Sequence, residues 1–535
     1  MRKKLLLLLG ALAAAVALLA VVELVLRGLG VGGFDPSRDS RLKYQQVVQP
    51  LFRPARLADG REVLATNDPR LAYQWIEPRK PAGLLRVLVF GESAIAGLGF
   101  SPNVTPVREL ERQLRAACPE RAFEIVNLGI VALPSKQVRK LVEEAVASYA
   151  PDAVVIYCGN NEFLEIHAEK YAEHIAGPAQ RLTRALSRSH LYGVLRGARR
   201  PSGSAQVSTA DVAGNDQRVS EARMVEHVEV EPDERRQIIG WHEQNLRAMV
   251  EACAAARVPC VLAAVAVNWE WQGRTDPPAA WIESYIDGQA GEAGLRAALP
   301  RLQAELAASE PKQLYRVHWK LAEVQRRLGD WPAAVASYRA SLEADPHLRR
   351  CRDEMNAGAR RAAAADAVFL DTPAELAALD EHGLVGFADF YDYVHFTPRG
   401  AARTAWLVYR ELERLRLFEP RAGHDARAFL AAREAACAAL ERDPYAVGGF
   451  LGIGASRERI AERDLWKYEA FLKELDAQLG RDPRDFDALV WRGNARFFQR
   501  DGLAGARADY EAALSVRDEP SVRDNLARLL GERRL

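Results

Sequence analysis

From Leu85 onward, short apolar runs alternate with amphipathic stretches. Residues 85–90, 123–127 and 153–158 read as strands, and 104–117 and 135–149 as helices with one apolar face. The alternation returns later: 236–256 as a helix, 259–267 as a buried strand, 353–365 as a helix, 367–371 as a strand and 399–415 as a helix. Strands that alternate with helices predict βαβ units and a parallel sheet covered on both faces. Right-handed crossovers then predict a three-layer α/β sandwich. Residues 34–84 are polar and weakly periodic and read as a linker that becomes the first edge of the domain. The pattern lapses over 166–235. Its middle, 197–216, is rich in Arg, Ser, Gly and Ala and reads as disordered or as a lid.

A different period fills the gap between strand 259–267 and helix 353–365. Residues 315–346 fit the tetratricopeptide (TPR) pattern. Leu321 and Ala322 lie in the first helix, Gly329-Asp330-Trp331 in the turn, Ala334, Tyr338 and Leu342 in the second helix, and Pro346 at its end. Small residues at these offsets let two helices approach closely. A looser copy spans 486–518, with Phe497, Gly502, Ala506, Tyr510, Ala513 and Leu514 in matching places, and helices ending at Asp443-Pro444 and Asp482-Pro483 read as partial copies. The expected organisation is an anchor over 1–30, a linker over 31–84, and an α/β domain over 85–270. A helical insertion follows over 271–352, the end of the α/β domain over 353–418, and a helical region over 419–535.

The N-terminus changes where this domain is expected to work. Arg2, Lys3 and Lys4 precede an apolar run from Leu5 to Leu26, broken by Glu23. As a helix that run would span about 33 Å, the thickness of a hydrocarbon core. The basic flank should stay cytoplasmic. The expectation is therefore an uncleaved, single-pass anchor in a bacterial inner membrane with the rest of the chain on the periplasmic side. A cleaved signal peptide is the rival. The net charge of +1 offers no basic field, so nucleic acid is not an expected partner. The six cysteines are scattered with no CxxC spacing, which argues against a zinc site and a disulfide framework.

Candidate chemistry sits at the predicted strand ends. Gly91-Glu92-Ser93 follows the first strand of the α/β pattern, where parallel sheets carry their sites. A tight turn there exposes a hydroxyl and aims backbone N–H groups at its surroundings. Gly129 closes the second strand, where the lack of a Cβ lets an N–H approach a reacting oxygen. Asn161, in Gly159-Asn160-Asn161-Glu162, offers an amide after the third strand. Asp392-Tyr393-Val394-His395 places a carboxylate and an imidazole three apart in a loop. That spacing suits a carboxylate on Nδ1 and a free Nε2. Taken singly, each element also fits a bland reading: a strand-ending turn, a cap, or one histidine among ten.

Taken in order, these residues resemble the SGNH/GDSL hydrolase superfamily, whose blocks supply Ser, Gly, Asn and a paired Asp-x-x-His. The resemblance covers roughly 85–165, 236–270 and 353–415, and the layout is similar to a bacterial subgroup with an N-terminal anchor and TPR repeats. It implies a flavodoxin-like SGNH sandwich and an esterase without metal or cofactor. Ser93 would be the nucleophile, and His395 and Asp392 its acid–base partners. Ser93 N–H, Gly129 N–H and the Asn161 amide would form the oxyanion hole. Glu92 and Glu162 stand where the family has Asp, each one methylene longer. The implied partners are an ester-containing small molecule, glycan or lipid, with a protein on the TPR-like helices. Trp269 and Trp271 could stack on a sugar ring or simply fill the core. Two rivals share the residues: an O-acyltransferase acting on extracytoplasmic glycans, and a TPR scaffold with a non-catalytic core.

Overall fold

The computed structural model describes residues 2–32, 38–98, 105–175, 189–198, 230–271, 291–437, 475–498, 503–523 and 526, apart from positions 30, 41, 43, 44, 57–59, 69, 72, 73, 349, 365, 520 and 521. Among these described residues, eight strands lie in two sheets. Strands β1 (Phe52–Arg56), β2 (Glu62–Thr66) and β3 (Trp75–Ile76) form an antiparallel sheet in that order. Strands β4 (Leu85–Gly91), β5 (Phe123–Gly129), β6 (Ala153–Tyr157), β7 (Cys260–Ala263) and β8 (Val368–Leu370) form a parallel sheet in the order β5-β4-β6-β7-β8.

The parallel sheet follows from its apolar runs. Every residue of β4 and β6 is buried, as expected when both faces of a sheet are covered. Alternate side chains serve two cores. Val87, Val89, Ile125 and Val155 pack with helices Pro106–Ala117 and Pro398–Arg414. Leu88, Phe90, Val126 and Ile156 pack with helices Ser135–Ser148, Pro232–Ala255 and Asp353–Ala363. The chain is therefore mixed α/β around a five-stranded parallel sheet.

The segment read as a linker differs from expectation, since it carries the antiparallel sheet. Its strands are short and the first contains Pro54, so the sequence period is weak. What fixes the segment is long-range pairing. Gln74 accepts the Asn127 N–H at 2.7 Å and donates to its carbonyl at 2.8 Å, occupying the outer edge of β5.

The apolar N-terminal run is helical over Arg2–Gly28. Among the described residues, however, no helix is long and apolar enough to cross a membrane, so the expected spanning anchor is not supported. The charge inside the run has a polar task. The Glu23 carboxylate accepts N–H groups of His190 at 3.0 Å and Leu191 at 2.9 Å and the Ser189 hydroxyl at 2.8 Å. It thereby satisfies orphan donors at the start of helix His190–Ala198. Within 166–235, helices also occupy Leu164–Ile175 and the start of Pro232–Ala255. Residues 176–188 and 199–229, including positions 199–216 of the loop expected to be disordered or a lid, lie outside the described residues, while its first two residues end helix His190–Ala198.

Between β7 and β8, helices Leu314–Arg327 and Trp331–Ala344 form a hairpin. Gly329 takes a positive φ of 76° in the turn, and the Asp330 side chain caps the second helix by accepting the Ala333 N–H. Trp319, Ala322, Ala334, Tyr338 and Leu342 join the same core as β4 and β6, so the hairpin is packed into the α/β body. A second hairpin pairs Phe486–Phe498 with Leu503–Val516, burying Ala506, Tyr510 and Ala513. Gly502, the Phe497 side chain and the Asp443-Pro444 helix end lie outside the described residues. All six cysteine side chains are buried as thiols.

Candidate active site

The candidate residues collect at the carboxyl edge of the parallel sheet. Gly91 is level with Gly129 of β5 and Tyr157 of β6, so the three loops that follow leave side by side. Ser93 opens a four-residue helix, Ser93–Ala96, immediately after β4. A Cβ on Gly91 would lie 2.6 Å from the Tyr157 carbonyl, so only glycine allows the chain to turn this tightly. The first residue of a helix has no carbonyl one turn back for its N–H, which leaves the Ser93 N–H outside the helical ladder.

The loop that carries Asp392 and His395 lies between helices Thr372–Leu379 and Pro398–Arg414. Phe390 and Phe396 bridge across it, and the Tyr391 N–H donates to the His395 carbonyl at 3.0 Å. Thr397 closes the loop by capping the next helix, its hydroxyl accepting the Gly400 N–H at 3.0 Å. Gly400 is needed there, because a Cβ would meet the Asp389 carbonyl at 2.0 Å. Within this frame Asp392 Oδ1 accepts the N–H groups of Val394 at 2.9 Å and His395 at 2.8 Å. Asp392 Oδ2 is 2.6 Å from His395 Nδ1, and His395 Nε2 is 2.8 Å from Ser93 Oγ. Burial pushes the Asp392 carboxyl up, but the imidazole and the two N–H groups outweigh it and hold it below the ordinary range. Tyr391 and Tyr393 flank the imidazole, with ring centroids 5.8 and 5.9 Å away.

The structure thus brings Ser93, His395 and Asp392 into one chain of contacts, although Ser93 and His395 are 302 residues apart. The ring nitrogens can be assigned from it: Nδ1–H faces the carboxylate and Nε2 faces the hydroxyl.

Gly129 and Asn161 are close by but differently engaged. Gly129 packs on the elbow helix, where a Cβ would stand 2.3 Å from the Ala96 nitrogen. Its N–H donates to Asn127 Oδ1 at 3.0 Å, while Asn127 Nδ2 donates to the Ile95 carbonyl at 2.8 Å. The Asn161 amide donates to Glu92 Oε2 at 2.6 Å and to the Leu133 carbonyl at 3.4 Å. Both donors therefore have internal acceptors, Asn127 and Glu92, that sequence reasoning missed as such. The tight spacing of Asn127 and Gly129 was the only signal for the first, and nothing in the sequence signalled the second.

Glu92 is fully buried and does not cap its own helix. Its carboxyl turns instead to the loop after β6, where the Asn160 N–H approaches both oxygens at 2.9 and 3.2 Å. Burial pushes this carboxyl up to about 8, with the nearby Glu162 charge adding to the rise and the Asn160 N–H opposing it. Glu162 has another task. It accepts the Ser135 N–H at 2.7 Å and the Ser135 hydroxyl at 2.8 Å, at the start of helix Ser135–Ser148.

The two tryptophans part company. Trp269 is 7% exposed and lies under the Arg339 guanidinium, a core position. Trp271 is half-buried and packs between Tyr393, at 6.1 Å, and Phe387, at 6.3 Å. With Phe387 46% exposed, an aromatic row runs from the imidazole to the surface. Among the described residues no group of three or more His, Cys, Asp or Glu could hold a metal ion. No family model matches the chain, and no curated protein matches it.

Proposed function

We propose that the chain is a serine ester hydrolase of the SGNH/GDSL type, built on the flavodoxin-like sandwich of that superfamily. The observation that carries this reading is the contact chain Asp392–His395–Ser93, with 2.6 and 2.8 Å steps, at the carboxyl edge of a parallel sheet. His395 Nε2 takes the Ser93 proton as Oγ attacks the ester carbonyl, and returns it to the departing alcohol. Asp392 keeps the imidazole in the working tautomer and stabilises its charged form. Water, activated by the same imidazole, then releases the acid from Ser93. The Ser93 N–H is the oxyanion donor best supported by its position, with Gly129 and Asn161 joining it on release from their present acceptors.

The aromatic row of Tyr393, Trp271 and Phe387 favours a substrate with a ring beside the ester, such as an acylated glycan. It equally favours the acyltransferase reading, in which a sugar hydroxyl replaces water. Product analysis separates the two, since free acid marks the hydrolase and acylated glycan the transferase. The helical hairpins are read as TPR-like surfaces for a protein partner.

The test is labelling by a fluorophosphonate probe together with turnover of p-nitrophenyl acetate. Wild-type protein should be labelled on Ser93 and should turn the ester over. Undiminished hydrolysis by Ser93→Ala would sink the reading. A protein inert in both assays, whose pulled-down partners are indifferent to Ser93→Ala, would be a scaffold instead.

A further inference from the structure

The strand β7 does not end at the site; it continues as a strap, residues 264–271, between the inserted hairpin and the acid–base loop. Asn268 is at its centre and is fully buried. Toward the loop, Asn268 Nδ2 donates to the Asp392 carbonyl at 2.9 Å and the Asn268 N–H donates to the Tyr393 carbonyl at 3.0 Å. The Trp269 N–H donates to the Val385 carbonyl at 2.9 Å, and Glu270 Oε2 accepts the Phe387 N–H at 2.7 Å. The strap thus holds the stretch 385–393, which leads into and contains Asp392.

Toward the other side, the strap is gripped by the helical insertion and the turn that follows it. Trp319 Nε1 donates to the Glu270 carbonyl at 2.7 Å. Arg350, itself buried, donates through Nη1 to the Asn268 carbonyl at 2.5 Å and through Nη2 to the Trp271 carbonyl at 2.7 Å. One planar guanidinium therefore fixes the carbonyls of Asn268 and Trp271, and the side-chain amide of Asn268 fixes the Asp392 carbonyl. A fork with its donors in a rigid plane sets direction as well as distance.

We infer that Asn268 and Arg350 are positioning residues for the reaction, through which the inserted hairpin sets the geometry of Asp392 and His395. This inference rests on the triad reading above. Proton transfer through an imidazole depends on sub-ångström placement, and a shift of about 1 Å remote from the chemistry can lower a rate about 100-fold. An insertion that only filled space would not need a charged fork, in the turn that closes it, on the carbonyl of the very residue bonded to Asp392 and on a second carbonyl of the strap.

The experiment is steady-state turnover of p-nitrophenyl acetate by the full chain, with melting temperature and the rate of fluorophosphonate labelling measured on the same samples. Arg350→Ala and Asn268→Asp should each lower kcat by about 10- to 100-fold with KM unchanged. Arg350→Lys, which can reach one carbonyl but not both, should recover part of the loss. Labelling of Ser93 should slow in parallel. Arg296→Ala, which removes an exposed pair with Glu292 on the same insertion, should leave kcat unchanged. Wild-type kcat in a variant of Arg350 or Asn268 that melts like wild type would overturn the inference, as would a loss confined to KM. If Arg350→Ala does not fold, Asn268→Asp decides. If the wild-type protein neither turns over ester nor takes the probe, the triad reading fails and this inference goes with it.

Discussion

On the acid–base side of the site, Asp392, His395 and Ser93 turn their polar atoms on one another. On the donor side, Gly129 and Asn161 turn theirs toward Asn127 and Glu92. The first side is assembled by a local device, a capped loop whose carboxylate binds the N–H groups of the two residues that lead into the imidazole. The second depends on three loops meeting at the sheet edge and on a buried carboxyl whose charge changes with pH. Under the proposed hydrolase reading the contrast locates the adjustment: the proton-transfer contacts are already made, while Gly129 and Asn161 would have to exchange an internal acceptor for the reacting oxygen.

Breaking the assembled side should have the largest effect. Ser93→Ala should lower kcat for p-nitrophenyl acetate by at least about 10⁴-fold, with the melting temperature close to wild type. Asp392→Asn should cost less, about 10²- to 10⁴-fold, because the nucleophile and base remain and only tautomer and orientation suffer. An equal loss in the two variants would mean that Asp392 does more than orient.

Asn161→Ala probes the other side. If the amide leaves Glu92 for the oxyanion in the transition state, kcat should fall by about 10²- to 10³-fold with little change in KM. A fall under about 5-fold would assign the amide to Glu92 throughout and leave stabilisation to backbone N–H groups.

Glu92 gives the same comparison a pH axis. Its carboxyl is pushed up to about 8 in the fold from an ordinary value of 4.5. Between those values the folded protein holds a proton that the unfolded chain has released. This group's contribution to stability therefore falls as pH rises from 4.5 to 8 and is constant outside that window. Thermal melts from pH 5 to 8.5 should show this slope in wild type and a shallower one in Glu92→Gln. Ionised Glu92 also holds Asn161 more strongly, so kcat should decline above about pH 8 in wild type and less in the variant. Parallel pH profiles in the two proteins would remove Glu92 from the account.

How much of this was legible before folding differs by region for physical reasons. Strands β4 and β6 are buried on both faces, so they are written as continuous apolar runs. The strands at 52–76 are short and one contains Pro54, so their pairing shows only once Gln74 meets β5. Asp392 and His395 lie three apart, and a three-residue spacing nearly dictates their contact. Asn161 and Glu92 are 69 positions apart. Spacing can bring both to the sheet edge, but it cannot tell whether the amide faces a substrate or a carboxyl. Trp269 and Trp271 are two apart, yet one is core beneath Arg339 and the other lines the aromatic row, a division that two-residue spacing alone does not reveal.

The smallest effect should come from Glu162, and it separates fold from chemistry on the donor side. Its carboxylate binds the Ser135 N–H and hydroxyl at the start of helix Ser135–Ser148, where a negative charge also meets the positive end of the helix dipole. Glu162→Gln keeps the shape but loses the charge and should cost about 1 kcal/mol in urea denaturation. The triad does not touch Glu162, so kcat at pH 7 should change less than about 2-fold. One kinetic trace should remain. The Glu162 charge helps to hold the Glu92 carboxyl high, so its removal should move the alkaline decline of kcat to lower pH. A stability loss without that movement would make Glu162 a helix cap alone. A movement without stability loss would mean that its contact with Ser135 contributes little and that its charge acts on the Glu92–Asn161 latch.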